Sequence, residues 1–343
     1  MSDRKSGWRQ KLIAFSGSCL VVIVLLAVGE VYCRWFTNIN FLDHSSGLFT
    51  PGRFGKTFAN TPNFRGISFG EAVQTDENGF RIDPDFRPTA LSDAPAIMIM
   101  GDSVSFGTGI RDDLTIAGRL RRYMPKEQIY NASVIGYDAP AYRDSLASLV
   151  PQMRNVKTVL LFYCLNDLND VSAGEIEARL DGESNTDSTP DWSLLRAVND
   201  YLRSRSKLYL WLKSAMRDTQ LDHFKFDLVP YKQGDDYIEN GLRPLKEIKT
   251  QLEAEGVALK IFVLPYEAQV RKTPPADYLL PQQKVDAFLQ KNHFEFYDLL
   301  SDFRSVSDPH SLFLYGDPMH LSKMGHELAA AKVCSTLPDC HPQ

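Results

Sequence analysis

Ser103 stands directly behind an apolar run, in Ile97-Met98-Ile99-Met100-Gly101-Asp102-Ser103. A hydroxyl at the carboxyl end of a buried strand lies where open α/β sheets hold their ligands. On its own such a serine only turns a strand into a helix. As a nucleophile it needs a base and a place for negative charge. Asp317 and His320, in Tyr315-Gly316-Asp317-Pro318-Met319-His320, can supply the base. Their three-residue spacing lets a carboxylate hold one imidazole nitrogen and leaves the other for the serine proton. The remaining histidines lack this combination of strand end, acid partner and helix start, and His310 in Asp308-Pro309-His310 comes nearest. Asp102 adjoins Ser103, but Asp317 sits beside the base and is the better acid.

Two further positions can stabilise an oxyanion. Asn131-Ala132-Ser133-Val134-Ile135-Gly136 follows a second short apolar run, and a glycine there lets a backbone N–H approach a substrate oxygen. Cys164-Leu165-Asn166-Asp167 follows a third run, and the Asn166 amide is a second donor. Tyr266, Glu267 and Gln269 follow a fourth run. They are candidate glycan contacts, or polar residues that only meet solvent.

The elements that must carry these residues read as strands alternating with amphipathic helices, the pattern of a parallel sheet. Strands are expected at Ala96–Met100, Gln128–Ser133, Thr158–Cys164, Leu259–Leu264 and Glu295–Leu299. Helices are expected near Thr115–Tyr123, Ala141–Gln152 and from just after His320 to about Cys334. The result is a five-stranded, three-layer α/β/α domain over 95–343. About 170–245 is an insertion, polar from Leu180 to Pro190, then helical from Leu194 to Leu212 behind Trp192. It is either a decoration or a cap over the site. Residues 36–94 form a lead-in with an Asn78-Gly79 hairpin turn.

Taken together, Gly101-Asp102-Ser103, Gly136, Asn166-Asp167 and Asp317-x-x-His320 resemble the four sequence blocks of the SGNH hydrolases, or GDSL-type esterases. The resemblance covers roughly Ala96 to Cys334. It implies a flavodoxin-like sheet and acyl-ester chemistry without metal or cofactor. Ser103 is then the nucleophile, His320 the base and Asp317 its orienting acid. The oxyanion hole is the Ser103 N–H, the Gly136 N–H and the Asn166 side chain. One position departs from the pattern: Cys164 stands where the family has a glycine, which bears on how substrate fits near Asn166. Asn78-Gly79-Phe80-Arg81 and the N-terminus also resemble membrane-anchored bacterial members. Some of those remove or transfer acetyl groups on cell-surface polysaccharides, which implies an O-acylated glycan or a small ester as substrate. The rival is a glycan-binding component of an export system with an unused triad.

The rest of the chain is consistent with that setting. Leu12 to Val28 carries no charge, and Arg4, Lys5, Arg9 and Lys11 precede it. This nears the roughly 20 residues that cross a bilayer, and the positive-inside rule places the N-terminus in the cytoplasm. Residues 1–35 are therefore expected to be a tail and anchor, with the domain extracytoplasmic; a cleaved signal ending near Ala27-Val28-Gly29 is the alternative. A net charge of −5 and no basic stripe argue against nucleic acid. The five cysteines show no CxxC or zinc spacing. Cys334 and Cys340 are expected to pair, since oxidation persists outside the cytosol.

Overall fold

The computed structural model describes residues 3–37, 39–41, 43–54, 57–83, 85, 94–168 and 193–342. The polar half of the insertion and Trp192 lie outside the described residues.

Helix α1, Asp3–Phe36, opens the chain. Its segment Ala14–Phe36 is long and apolar enough to cross a membrane, and its most apolar stretch, mean hydropathy 2.2, is not buried; Cys33 near its end is. A two-stranded ribbon follows, β1 (Phe49–Phe54) against β2 (Thr57–Asn60). Next come three short strands, β3 (Arg65–Ser68), β4 (Glu71–Thr75) and β5 (Arg81–Ile82). They meander antiparallel, and the β4–β5 turn is the expected one. Gly79 adopts φ +79° there, and the Asp76 carboxylate accepts from the Asn78 and Phe80 amides.

The main domain begins with β6 (Ala96–Gly101), buried on both faces as a central parallel strand must be. The short helix α2 (Ser103–Phe106), α3 (Ile116–Tyr123), β7 (Gln128–Asn131), α4 (Ala139–Leu149) and β8 (Val156–Tyr163) follow. The insertion contributes α5 (Ser193–Arg205), α6 (Lys207–Met216) and α7 (Thr219–Leu228). The crossover helix α8 (Asp235–Ala254) runs through residue 245 and returns to β9 (Ala258–Val263). The last elements are α9 (Glu267–Val270), α10 (Leu280–Lys291), β10 (Phe296–Asp298), α11 (Leu300–Arg304) and α12 (Lys323–Cys334).

The sheet order is β10-β9-β8-β6-β7-β5-β4-β3. The five expected strands are its parallel part, in the order of flavodoxin-like sheets. The sheet has eight strands rather than five, because the lead-in adds a three-stranded antiparallel wing where Arg81 pairs with Asn131. Sequence patterning missed the wing because strands of two to five residues show little alternation. Right-handed crossovers place α3 on one face and α4, α8 and α10 on the other. α12 packs against α3, and α4 against α8, which closes the three layers.

The single helix expected over Leu194–Leu212 is two helices. Ser206 leaves the helical region and caps α6, its Oγ accepting from the Tyr209 amide at 3.1 Å. Ser206 Oγ also donates to Glu30 of α1 at 2.8 Å. The same Glu30 carboxylate accepts from the Lys207 and Leu208 amides at 3.2 and 3.0 Å. Arg34, one turn on, donates to the Arg205 carbonyl at 2.7 Å. Cys334 and Cys340 are disulfide-bonded, tying the end of α12 to the C-terminal turn.

Candidate active site

β6 and β8 are the strands at which the connections of the parallel sheet change direction, the place where such sheets open a crevice. Ser103 follows β6 and is the first residue of α2, so its backbone N–H has no partner inside the helix. Asp102 caps that helix, its carboxylate accepting from the Val104 amide at 2.9 Å. Burial raises the Asp102 carboxyl above its usual range, against the pull of that amide and of His320. Its role is to shape the turn. Gly101 is required at this turn, because a Cβ there would meet Ser105 Oγ at 2.2 Å and the Phe162 carbonyl at 2.8 Å.

The far end of α2 is held by the lead-in. Gly107 closes the helix in the left-handed region, φ +88°. The fully buried Arg81 guanidinium donates to the Phe106 and Gly107 carbonyls and to that of Ile110. A cation at a helix C-terminus satisfies its free carbonyls and its dipole. Asp112 supplies the counter-charge, 3.5 Å from Arg81 and in a close pair with Arg121. The Arg81 of the Asn-Gly-Phe-Arg motif thus fixes the four-residue helix that carries Ser103.

His320 lies between Ser103 and Asp317. Its Nε2 is 2.8 Å from Ser103 Oγ, and its Nδ1 is 2.8 Å from Asp317 Oδ2. The other Asp317 oxygen accepts from the Met319 and His320 amides at 3.0 and 2.7 Å. These bonds fold the loop back on itself, which is how a three-residue spacing brings acid and base together. With Nδ1–H donated to the carboxylate, Nε2 is the acceptor for the serine hydroxyl. Burial alone would raise the Asp317 carboxyl, but the His320 charge and these bonds hold it below its usual range. Burial alone would lower His320, but Asp317, with Asp102 behind it, holds it above the usual imidazole value of 6.5.

Asn166 and Gly136 lie beyond the carboxyl ends of the strands flanking β6. Asn166 sits in a short 3-10 turn after β8. Asp167 fixes that turn, accepting from the Cys164 amide and the Tyr142 hydroxyl, both at 2.8 Å. Gly136 lies between β7 and α4 with φ +83°, a conformation that favours glycine. Cys164 is fully buried in the core, so its side chain fills space beneath the turn.

The three residues after β9 are placed differently from the glycan-contact expectation. Tyr266, Glu267 and Gln269 are all fully buried. The Gln269 amide is spent on the Tyr266 amide, the Tyr278 carbonyl and Gln282. Glu267 pairs with Arg271 and with His310, so the competing histidine belongs to another cluster. Only Tyr266 reaches the site: its hydroxyl is 2.7 Å from Asp227 Oδ2 and 3.3 Å from the Asn166 side-chain oxygen. These residues begin a short helix packed under the crevice, which no periodicity in four residues announces.

Sequence reasoning also missed a wall built from the lead-in. Phe69 sets its ring edge-on to His320, 5.4 Å between centroids, and His44 stacks on Phe69 at 5.0 Å. Phe69 adopts φ +48° in the β3–β4 turn. Burial and the nearby His320 charge lower His44 to about 4, so it is neutral at pH 7. Asn40, just past α1, donates to the Gly109 carbonyl at 2.7 Å. Ile39, Asn40 and Phe69, with Leu210 of α6, His320 and Asp317, line a cavity of about 250 Å³.

The chain matches no family model and no curated protein. Several solved structures are similar. A lipase/acylhydrolase from Enterococcus faecalis is 11% identical, with 73% of this chain and 98% of that one covered, at a TM-score of 0.42. An acetyl xylan esterase, AlAXEase, is 11% identical over 71% and 99%, at 0.42. A member of the lipolytic G-D-S-L family from Veillonella parvula is 11% identical over 71% and 98%, also at 0.42.

Proposed function

We propose that this chain is a serine esterase or O-acyltransferase of the SGNH type, acting on O-acyl groups, acetyl above all, of a cell-surface polysaccharide. The observation that carries the reading is the unbroken sequence Ser103 Oγ, His320 Nε2, His320 Nδ1, Asp317 Oδ2, with 2.8 Å at both contacts. His320 takes the serine proton as Oγ attacks the acyl carbonyl. Asp317 keeps the imidazole in the right tautomer and stabilises the imidazolium. The oxyanion is held by the Ser103 and Gly136 N–H groups and the Asn166 side chain. His320 then gives its proton to the leaving sugar oxygen, and the C–O bond breaks to leave an acyl-serine. Water, or a second sugar hydroxyl deprotonated by His320, attacks this ester and frees Ser103.

The choice of a short acyl group follows from the size of the cavity beside His320, about 250 Å³, below the range of drug-sized sites. The segment Ala14–Phe36 would anchor the protein in a membrane, and the basic residues before it argue for a domain on the outer side. The decisive experiment is labelling of the full chain with a serine-directed fluorophosphonate. Wild type is expected to label and to release acetate from an acetylated oligosaccharide, and Ser103→Ala to do neither. Well-folded wild type that stays unlabelled defeats the proposal.

A further inference from the structure

The cavity that reaches His320 is not only apolar. Arg203 of α5 and Lys213 of α6 also line it, as does Thr219 at the start of α7. Both cations are half-buried. Among the described residues neither forms an ion pair, and the Lys213 ammonium makes only a long hydrogen bond, 3.4 Å to the Asn199 side-chain oxygen. Several other cations around the insertion have an acidic or aromatic partner: Arg34 with Glu30, Lys207 over Phe41, Arg217 with Asp222, Arg271 with Asp218 and Glu267. Among the described residues the one acid lining the cavity, Asp317, is committed to His320 and two amides. Holding two like charges at one cavity wall without a paired acid is costly, and an incoming anion relieves it. Burial, and then the Arg203 and Arg217 charges, lower the Lys213 ammonium below its usual range, and the Asp200 charge offsets them only in part.

We infer that Arg203 and Lys213 form an anion subsite beside the nucleophile, so that the acyl group taken by Ser103 is carried on an acidic sugar, its carboxylate or a phosphate held between the two cations. The apolar wall of Ile39, Phe69 and Leu210 then faces the sugar ring and acyl methyl. The link to catalysis rests on Ser103 being the acyl acceptor; the anion subsite itself does not.

Calorimetry on the full chain carrying Ser103→Ala separates the two. A uronate-containing oligosaccharide is expected to bind at least tenfold more tightly than a neutral one of equal length and linkage. Arg203→Gln and Lys213→Gln should each erode that preference several-fold, and the double variant should bring it near parity. Lys225→Gln, an exposed cation on α7 away from the cavity lining, should keep it. The single variants carry the test if the double variant does not fold. Competition by inorganic phosphate, with a phosphorylated oligosaccharide preferred over the uronate, would assign the anion as phosphate and keep the subsite. Equal binding of acidic and neutral sugars, or a preference that survives the single variants, overturns the inference. A preference for acid in a protein whose wild type hydrolyses no ester would retain the subsite and remove the esterase reading.

Discussion

His320 sets the pH dependence of any reaction at Ser103, because only its neutral form can take the serine proton. Asp317 raises its folded-state value above 6.5, so activity is expected to fall on the acid side starting above that pH. The raised value also adds folding stability that is fully present below 6.5 and is lost as the pH rises through the folded value. Asp317→Asn removes the charge that raises it. The acid limb of kcat/KM should shift downward, and kcat should fall by about 10⁴-fold because the imidazole loses its tautomer. A pH–rate profile of both proteins checks the two effects. Asn166→Ala should lower kcat by about 10²–10³-fold with a smaller effect on KM, as loss of an oxyanion donor does. A change in KM alone would make Asn166 a ground-state contact.

At the scale of elements, Ser103 depends on a helix of only four residues, too short to hold itself together. Arg81 at its C-terminal end and Asp102 at its start do that instead. Arg81→Met leaves Asp112 buried with one partner fewer and the helix carbonyls unpaired. It should cost about 3–5 kcal/mol in denaturant unfolding, the usual effect of breaking a buried ion pair. Gly101→Ala, whose methyl would strike Ser105 and a β8 carbonyl, should also destabilise, by about 1–3 kcal/mol as overpacking does. The sequence made part of this legible. Ser103 stood out because it directly follows an apolar strand, and Asp317 and His320 because they are three residues apart, although the strand before them ends at Asp298. Arg81 was visible as a motif, but not its target, which lies 25 or 26 residues away along the chain. Phe69, Arg203 and Lys213 reach the cavity only through tertiary packing of segments with no periodicity that points there. Tyr266, Glu267 and Gln269 misled because polar residues after a strand look solvated until α9 and its neighbours cover them.

Across the whole molecule, three separate stretches converge on one cavity: the residues just after α1, the β3–β4 turn and the insertion helices. None belongs to the parallel sheet, so much of the cavity wall beside His320 is supplied by segments outside it. The C-terminus is handled more simply. Cys334 and Cys340 close a loop six residues apart in sequence. Reduction should lower stability by less than the roughly 3 kcal/mol of a 15-residue loop, and leave Ser103 labelling intact. Thiol titration of the folded, non-reduced protein should detect neither cysteine.

The grip of Glu30 and Arg34 on the junction between α5 and α6 has a mechanical meaning. A catalytic body joined to its anchor by a slack tether can roam and sample a hemisphere of targets. Here the final turns of α1 are fixed to the α5–α6 junction next to the cavity, and Asn40 fastens the chain again a few residues later. Were the part of α1 before Glu30 in a bilayer, the mouth of the cavity would stay at one height and one tilt. Under the proposed function the catalytic body would have no reach of its own, and a polymeric substrate would have to be threaded past it.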